Sequence, residues 1–177
     1  MITIFIDGSS RGNPGTGGYG IVIFEDADSN NILFARSAQY SNVTNNQMEL
    51  MALLHALDYV EDHYPNEPVM IYSDSSYVVN SWNSWLEIWA NNGWKNSKKQ
   101  QVENIALMKA LWEYCSIGFF HCTIAQCKGH DGVIGNELAD LLARNQVSRF
   151  YKETLDEGYT IENFEQNDFL SHMTDFL

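Results

Sequence analysis

A chain of 177 residues, 45% of them apolar and including nine Phe, nine Tyr and five Trp, holds material for one well-buried core with an appendage, which excludes a chain disordered over most of its length. Its formal net charge of −13 argues against a polyanion partner until it is divided: residues 148–177 carry two basic against seven acidic side chains, a net of −5, and leave residues 1–147 with 8 basic, 16 acidic and a net of −8. No stretch approaches the ~18 apolar residues of a membrane span, and MITIFIDGSS lacks a charged leader, so a soluble, cytoplasmic, monomeric protein with no membrane attachment is expected.

Ile2 to Asp7 alternates apolar side chains and predicts a strand, with Met1 one residue ahead of it pointing to a free-standing protein. Arg11 to Gly20 is dense in Gly and Pro and predicts a loop; Tyr19 to Glu25 and Ile32 to Tyr40 predict two strands that make a meander with the first. Thr44 is placed to cap a helix through about Val60, closed off by Pro65 and Pro68. Val69 to Ser73 reads as a buried strand, Ser75 to about Asn92 as one helix or two consecutive short ones ending at Gly93, and Val102 to Cys115 as a further helix. Phe119 to Cys127 predicts the last strand, Lys128 to Ile134 a loop and Gly135 to about Val147 the last helix. A meander followed by strands alternating with helices describes an α/β domain over 1–147 with a mixed sheet, and 148–177 is set apart as an acidic, aromatic extension.

Four carboxylates stand where structure alone explains them least. Asp7 ends an apolar run at a strand's exit, Glu49 lies between Met48 and Leu50, Asp74 follows the buried strand, and Asp140 is embedded in Leu138-Ala139-Asp140-Leu141-Leu142. Buried carboxylates are costly without a cation, and few Lys or Arg are at hand, so the set points to a hard divalent metal with Mg2+ leading. Each has a plain alternative: a turn cap at Asp7, a solvated helix face at Glu49 or Asp140, a helix N-cap at Asp74. Cys115, Cys122 and Cys127 are odd in number and lack CxxC spacing, so they read as small core residues in a reducing compartment.

The segments Asp7-Gly8-Ser9, Gly12-Asn13-Pro14-Gly15, Gly17-Gly18-Tyr19-Gly20, Thr44 to Ala52, Ser73 to Val78, Gly93-Trp94-Lys95, Lys128-Gly129-His130 and Asn136 to Asp140, with Trp85 and Trp89, occur in one order and resemble type 1 ribonuclease H. The resemblance implies the ribonuclease H-like fold, an α/β domain with a mixed five-stranded sheet flanked by helices. It also implies an endoribonuclease that hydrolyses the RNA strand of RNA/DNA hybrids, leaving 5'-phosphate and 3'-hydroxyl ends, with two Mg2+ per active site and Mn2+ able to substitute. Asp7 would bridge the ions, Glu49 and Asp74 would hold one side and Asp140 the other, while His130 would move protons or help product leave. Asn45, Asn46 and the backbone near Ser10 and Ser76 would read the 2'-hydroxyl; Asn13 and Thr44 would grip a DNA-strand phosphate. By the same resemblance Gly8 and Ser9 would contact substrate, Asn136 would lie close to the metals and substrate, and Trp85 and Trp94 would pack or touch DNA sugar. A binding module without chemistry, and a nuclease for another nucleic acid, are the rival readings. The intact carboxylates and His130 oppose the first, and the Asn45-Asn46 pair opposes the second.

Two departures stand out. The family's better-known bacterial members carry a basic protrusion after the tryptophan matching Trp89, whereas Ala90-Asn91-Asn92 follow here and only Lys95, Lys98 and Lys99 remain, so phosphate grip and its salt dependence should be weaker. Ser76 stands where a longer polar side chain is common. The extension interleaves acid with Phe150, Tyr151, Tyr159, Phe164, Phe169 and Phe176, a pattern read as an appendage covering the body, with a replication-protein contact as the functional alternative.

Overall fold

A computed structural model of the protein describes residues 1–28, 31–118, 121–129, 132–144 and 160–161. Strands β1 (Ile2–Gly12), β2 (Gly15–Phe24) and β3 (Ile32–Val43) form an antiparallel meander, and β4 (Val69–Ser73) and β5 (Cys122–Gln126) extend it on the other side of β1 as parallel strands. The order β5-β4-β1-β2-β3 is the expected mixed five-stranded sheet; Thr160–Ile161, labelled β6, adds two antiparallel residues to the outer edge of β3. The rest of the extension lies outside the described residues.

Alternation along β1 divides the core. Ile4 and Ile6 join Leu50, Leu53 and Leu57 of helix α1 (Asn45–His63) and Met108 and Leu111 of α4 (Ile105–Ser116), whereas Phe5 joins Val22, Leu138 and Leu142 with α5 (Ile134–Ala143). Helix α1 therefore covers one face of the sheet and α5 the other. Thr44 caps α1 through a reciprocal box: its Oγ1 accepts from the Gln47 N–H at 3.1 Å, and its own N–H donates to Gln47 Oε1 at 2.9 Å. The segment after β4 runs as α2 (Ser76–Asn80), a π-helical turn over Ser81–Trp85 and α3 (Leu86–Asn91), more broken than one helix.

The expected loop from Arg11 to Gly20 is corrected: only Asn13 and Pro14 turn the chain, and the flanking residues pair from Gly12↔Gly15 to Asp7↔Gly20. These glycines serve close packing. A β-carbon on Gly8 would lie 2.2 Å from the Glu49 backbone nitrogen, and one on Gly20 would lie 2.1 Å from the Ala139 carbonyl oxygen. Backbone thus meets backbone on both faces of the β1–β2 ribbon. Gly20→Ala should displace α5 and cost roughly 3 kcal/mol, lowering Tm by about 6–12 °C; a melting temperature within a degree or two of wild type would show that α5 does not rest on this contact.

Candidate metal centre

Three carboxylates from three elements converge. Asp7 lies on β1 one residue beyond the last β1–β4 pair, Ile6↔Ser73; Asp74 directly follows β4; Glu49 sits near the start of α1. One oxygen of each lies within 4.8 Å of the other two. Asp7 is not at a strand's exit as expected, because β1 continues to Gly12; it is the partner strand β4 that stops there. Burial to 4% and 8% exposure removes the solvated-face alternative for Glu49 and Asp140, and the turn-cap alternative for Asp7 meets a strand that runs on through it. The cap of α2 is Ser75, whose Oγ accepts from the Val78 N–H at 3.3 Å, so Asp74 is not engaged as an N-cap. The start of the β5–α5 loop braces the site: Gln126 Nε2 donates to the Asp74 carbonyl at 3.3 Å and the Cys127 N–H to the Ser73 carbonyl at 3.0 Å.

Asp140, on α5, is buried at 8% exposure and close enough for its charge to act on Asp7, but it does not join the group of three. Its Oδ1 accepts from Arg144 Nε at 3.0 Å and its Oδ2 from Arg144 Nη2. The expectation that all four carboxylates lack a basic partner is therefore corrected at Asp140. The signal was available as an acid–base pair four residues apart on a predicted helix.

Of the residues expected to touch substrate, several lie on the elements that carry the cluster. Gly8 donates its N–H to Asp7 Oδ1 at 2.8 Å, Ser9 and Ser10 follow on β1, and Ser10 Oγ donates to the Gly12 carbonyl at 2.7 Å. Asn13 Oδ1 accepts the exposed Asn45 N–H at 3.1 Å, so Asn13 and Thr44 both help close the start of α1, while Asn45 and Asn46 occupy its first turn without capping it. Asn136 is almost fully buried and accepts from the Cys127 thiol at 3.4 Å; Ser76 is exposed at the head of α2. Trp85 stands edge-on to Tyr77 at 6.0 Å and tilted against Trp89 at 5.5 Å, and Lys109 Nζ lies 5.9 Å from the Trp94 ring centre, so both tryptophans are half-packed at the base of the protruding loop. His130 lies outside the described residues. The three cysteines are free, with Cys122 buried.

The cluster is electrostatically strained. Burial, then the charges of Asp74 and Asp140, push the Asp7 carboxyl up to about 8; burial, then Asp7 and Asp74, hold Glu49 well above the usual carboxylate range. Glu49 Oε2 is buried with no hydrogen-bond partner among the described residues. Hard carboxylate oxygens, an orphaned acceptor and mutual repulsion together fit a divalent cation of the Mg2+ class. With its pKa raised on folding, Asp7 keeps a proton in the native state that the unfolded chain has lost, so the metal-free protein should lose stability as pH rises from about 4 to 8. Thermal melts should show Asp7→Asn raising Tm by a few degrees at pH 8, with little change at pH 4, and divalent cation should have the same sign of effect on wild type. Equal pH profiles for the two proteins would refute the assignment of strain to Asp7.

The sequence description of the family called RNase H matches residues 1–148. The ribonuclease H of Syntrophomonas wolfei subsp. wolfei is 40% identical over 147 residues, covering 82% of this chain and 95% of that protein. Among solved structures, the PFV RNase H domain superposes with a TM-score of 0.70 at 30% identity, over 81% of this chain and 92% of that one. LC11-RNase H1, solved in complex with an RNA/DNA hybrid, shares the fold at 23% identity with a TM-score of 0.59, over 85% of this chain and 99% of that one. The protein with this acidic cluster is accordingly an enzyme of the ribonuclease H family.

Proposed function

We propose that the protein is a metal-dependent endonuclease that hydrolyses the RNA strand of RNA/DNA hybrids, leaving 5'-phosphate and 3'-hydroxyl ends. The observation that carries this reading is the convergence of Asp7, Glu49 and Asp74 within 4.8 Å, with Asp140 beside them. Asp7, Glu49, Asp74 and Asp140 would hold two Mg2+, or Mn2+ in their place. Such ions supply an activated water and charge for the leaving oxygen. The chain's part is to fix the oxygens: β1 and β4 set Asp7 and Asp74 in parallel register, and the close seat of α1 on Gly8 sets Glu49. Arg144 balances Asp140, the carboxylate beside the group of three. His130, one residue past the described Lys128-Gly129, would pass a proton to the departing 3'-oxygen.

Discrimination of RNA from DNA is assigned to the Asn45 and Asn46 side chains and to backbone at Ser10 and Ser76, all near the cluster in sequence or on the elements that form it. Asn13 and Thr44 are assigned to a phosphate of the DNA strand. The bond from the Asn45 N–H to Asn13 and the capping of the same helix by Thr44 support a shared location for Asn13, Thr44 and Asn45. No helix among the described residues is long and apolar enough to cross a membrane, and three unpaired cysteines favour a cytoplasmic site of action. A binding module without chemistry would have no use for three mutually repelling carboxylates held this close, two of them buried.

Cleavage of a labelled hybrid in Mg2+, with single-stranded RNA, RNA duplex and DNA duplex as controls and EDTA as a blank, tests the reading. Asp7→Asn is expected to lower the rate on the order of 10³-fold; equal cleavage by the mutant would sink it. Because Lys95, Lys98 and Lys99 are the basic residues of the protruding loop, hybrid affinity should fall with salt at a log–log slope shallower than about five. A steeper slope would mean that the protrusion is not the weak element.

A further inference from the structure

The described basic residues are few and most have visible employment. Lys95, Lys98 and Lys99 crown the protruding loop, Lys109 faces Trp94, Arg36 lies over Phe34 at 5.5 Å, and Lys128 is in the loop after β5. The two others, Arg11 and Arg144, share one cleft of about 380 Å3, lined also by Ser9, Thr16 and Gln39. Arg144 is tied to Asp140 on one side of it. Arg11 is exposed and has no ion pair or hydrogen bond from its side chain among the described residues. A guanidinium without a partner among the described residues, lining a cleft of mixed polar and apolar character on a chain of net charge −13, is an unexplained feature.

Its placement ties it to the acidic cluster. Side chains alternate along a strand, so Asp7, Ser9 and Arg11 project on the same face of β1, which is the face packed by α5. Ser9 and Arg11 therefore stand ~7 and ~13 Å along β1 from Asp7 at a rise of ~3.3 Å per residue. A nucleic-acid strand covers that distance in roughly two to four nucleotides at ~3.4 Å of axial rise per nucleotide. The cleft also abuts the C-terminal end of α5, where outward carbonyls would repel an anion. Those carbonyls are taken: Ser37 Oγ donates to the Leu142 carbonyl at 2.7 Å and Gln39 Nε2 to the Ala143 carbonyl at 3.1 Å. The polar side chains left among its lining include the hydroxyls of Ser9 and Thr16 and the Arg11 guanidinium, donors that suit a phosphate diester.

We infer that this cleft is a phosphate subsite for the cleaved strand, with Arg11 as its charge and Ser9 and Thr16 as hydroxyl donors, holding a backbone phosphate two to four nucleotides from the bond that is cut. The inference rests on the nuclease reading above. It gives the acidic site a cationic anchor on the side away from the protrusion, so that the substrate is gripped on both sides of a region that by itself repels it.

The test compares full-length wild type, Arg11→Ala and Arg11→Lys in cleavage of hybrid across a salt series, and repeats it on hybrids carrying one neutral methylphosphonate linkage at successive positions of the RNA strand. Arg11→Ala should keep the wild-type Tm, raise KM about tenfold with little change in kcat, and reduce the log–log salt slope of kcat/KM by about one. Arg11→Lys should restore the slope. One methylphosphonate two to four nucleotides from the cut should slow wild type and leave Arg11→Ala no slower than it already is. Arg11→Ala with wild-type KM and slope, or equally sensitive to every neutral linkage, overturns the subsite while leaving the nuclease reading standing. A wild-type protein that does not cut hybrid overturns both.

Discussion

The arrangement depends on the contact of helix backbone with strand backbone on the two faces of the β1–β2 ribbon. Glycine at positions 8 and 20 lets α1 and α5 settle onto the strands without an intervening β-carbon. Each helix brings one carboxylate with it, Glu49 from one face and Asp140 from the other, while β1 and β4 contribute Asp7 and Asp74 from within the sheet. Since side chains do not separate the layers at these points, their spacing is set by covalent geometry more than by the packing of flexible groups. That rigidity is what a site of mutually repelling groups requires, because repulsion would spread a looser frame.

Charge is distributed to the same end. The cluster stores repulsion that raises Asp7 and Glu49, and Asp140 carries a counterion of its own in Arg144. Lys95, Lys98 and Lys99 stand on the loop after Gly93 and Arg11 in its cleft, while Lys128 precedes Gly129, where a β-carbon would lie 2.7 Å from Asp74 Oδ2. Cations placed inside the cluster would have neutralised it; placed outside, they leave it short of positive charge while opposing the long-range field of an acidic chain. A chain with so few basic residues gains more from such placement than from their number.

Much of this was legible in the sequence, for reasons that differ by element. The apolar alternation of Ile2, Ile4 and Ile6 and the Thr44–Gln47 spacing are local signals, and β1 and the head of α1 follow them. The segment from Arg11 to Gly20 misled because glycine is read first as a turn former, whereas Gly18 and Gly20 lie in a strand that a helix approaches too closely for any side chain. The carboxylates stand out by their apolar company, whereas the Asp140–Arg144 pair is marked in the sequence by nothing more than a four-residue interval. The π-helical turn at Ser81–Trp85 has no signature in a single sequence, since it reflects how the segment fits over β5, where Asn83 Nδ2 donates to the Ile124 carbonyl at 3.1 Å.

Beyond Ile6, β1 has a strand neighbour on one side only among the described residues: its pairs with β4 stop at Ile6, while those with β2 continue to Gly12. Alternate residues of Asp7–Gly12 consequently turn their peptide groups toward an unpaired edge at the rim of the acidic cluster. Peptide groups are common to all residues, so this row of donors and acceptors is specified by register alone. Sequence drift at Ser9, Ser10 or Arg11 can retune the side chains around the site, but as long as the β1–β2 ladder holds it leaves that polar edge unaltered.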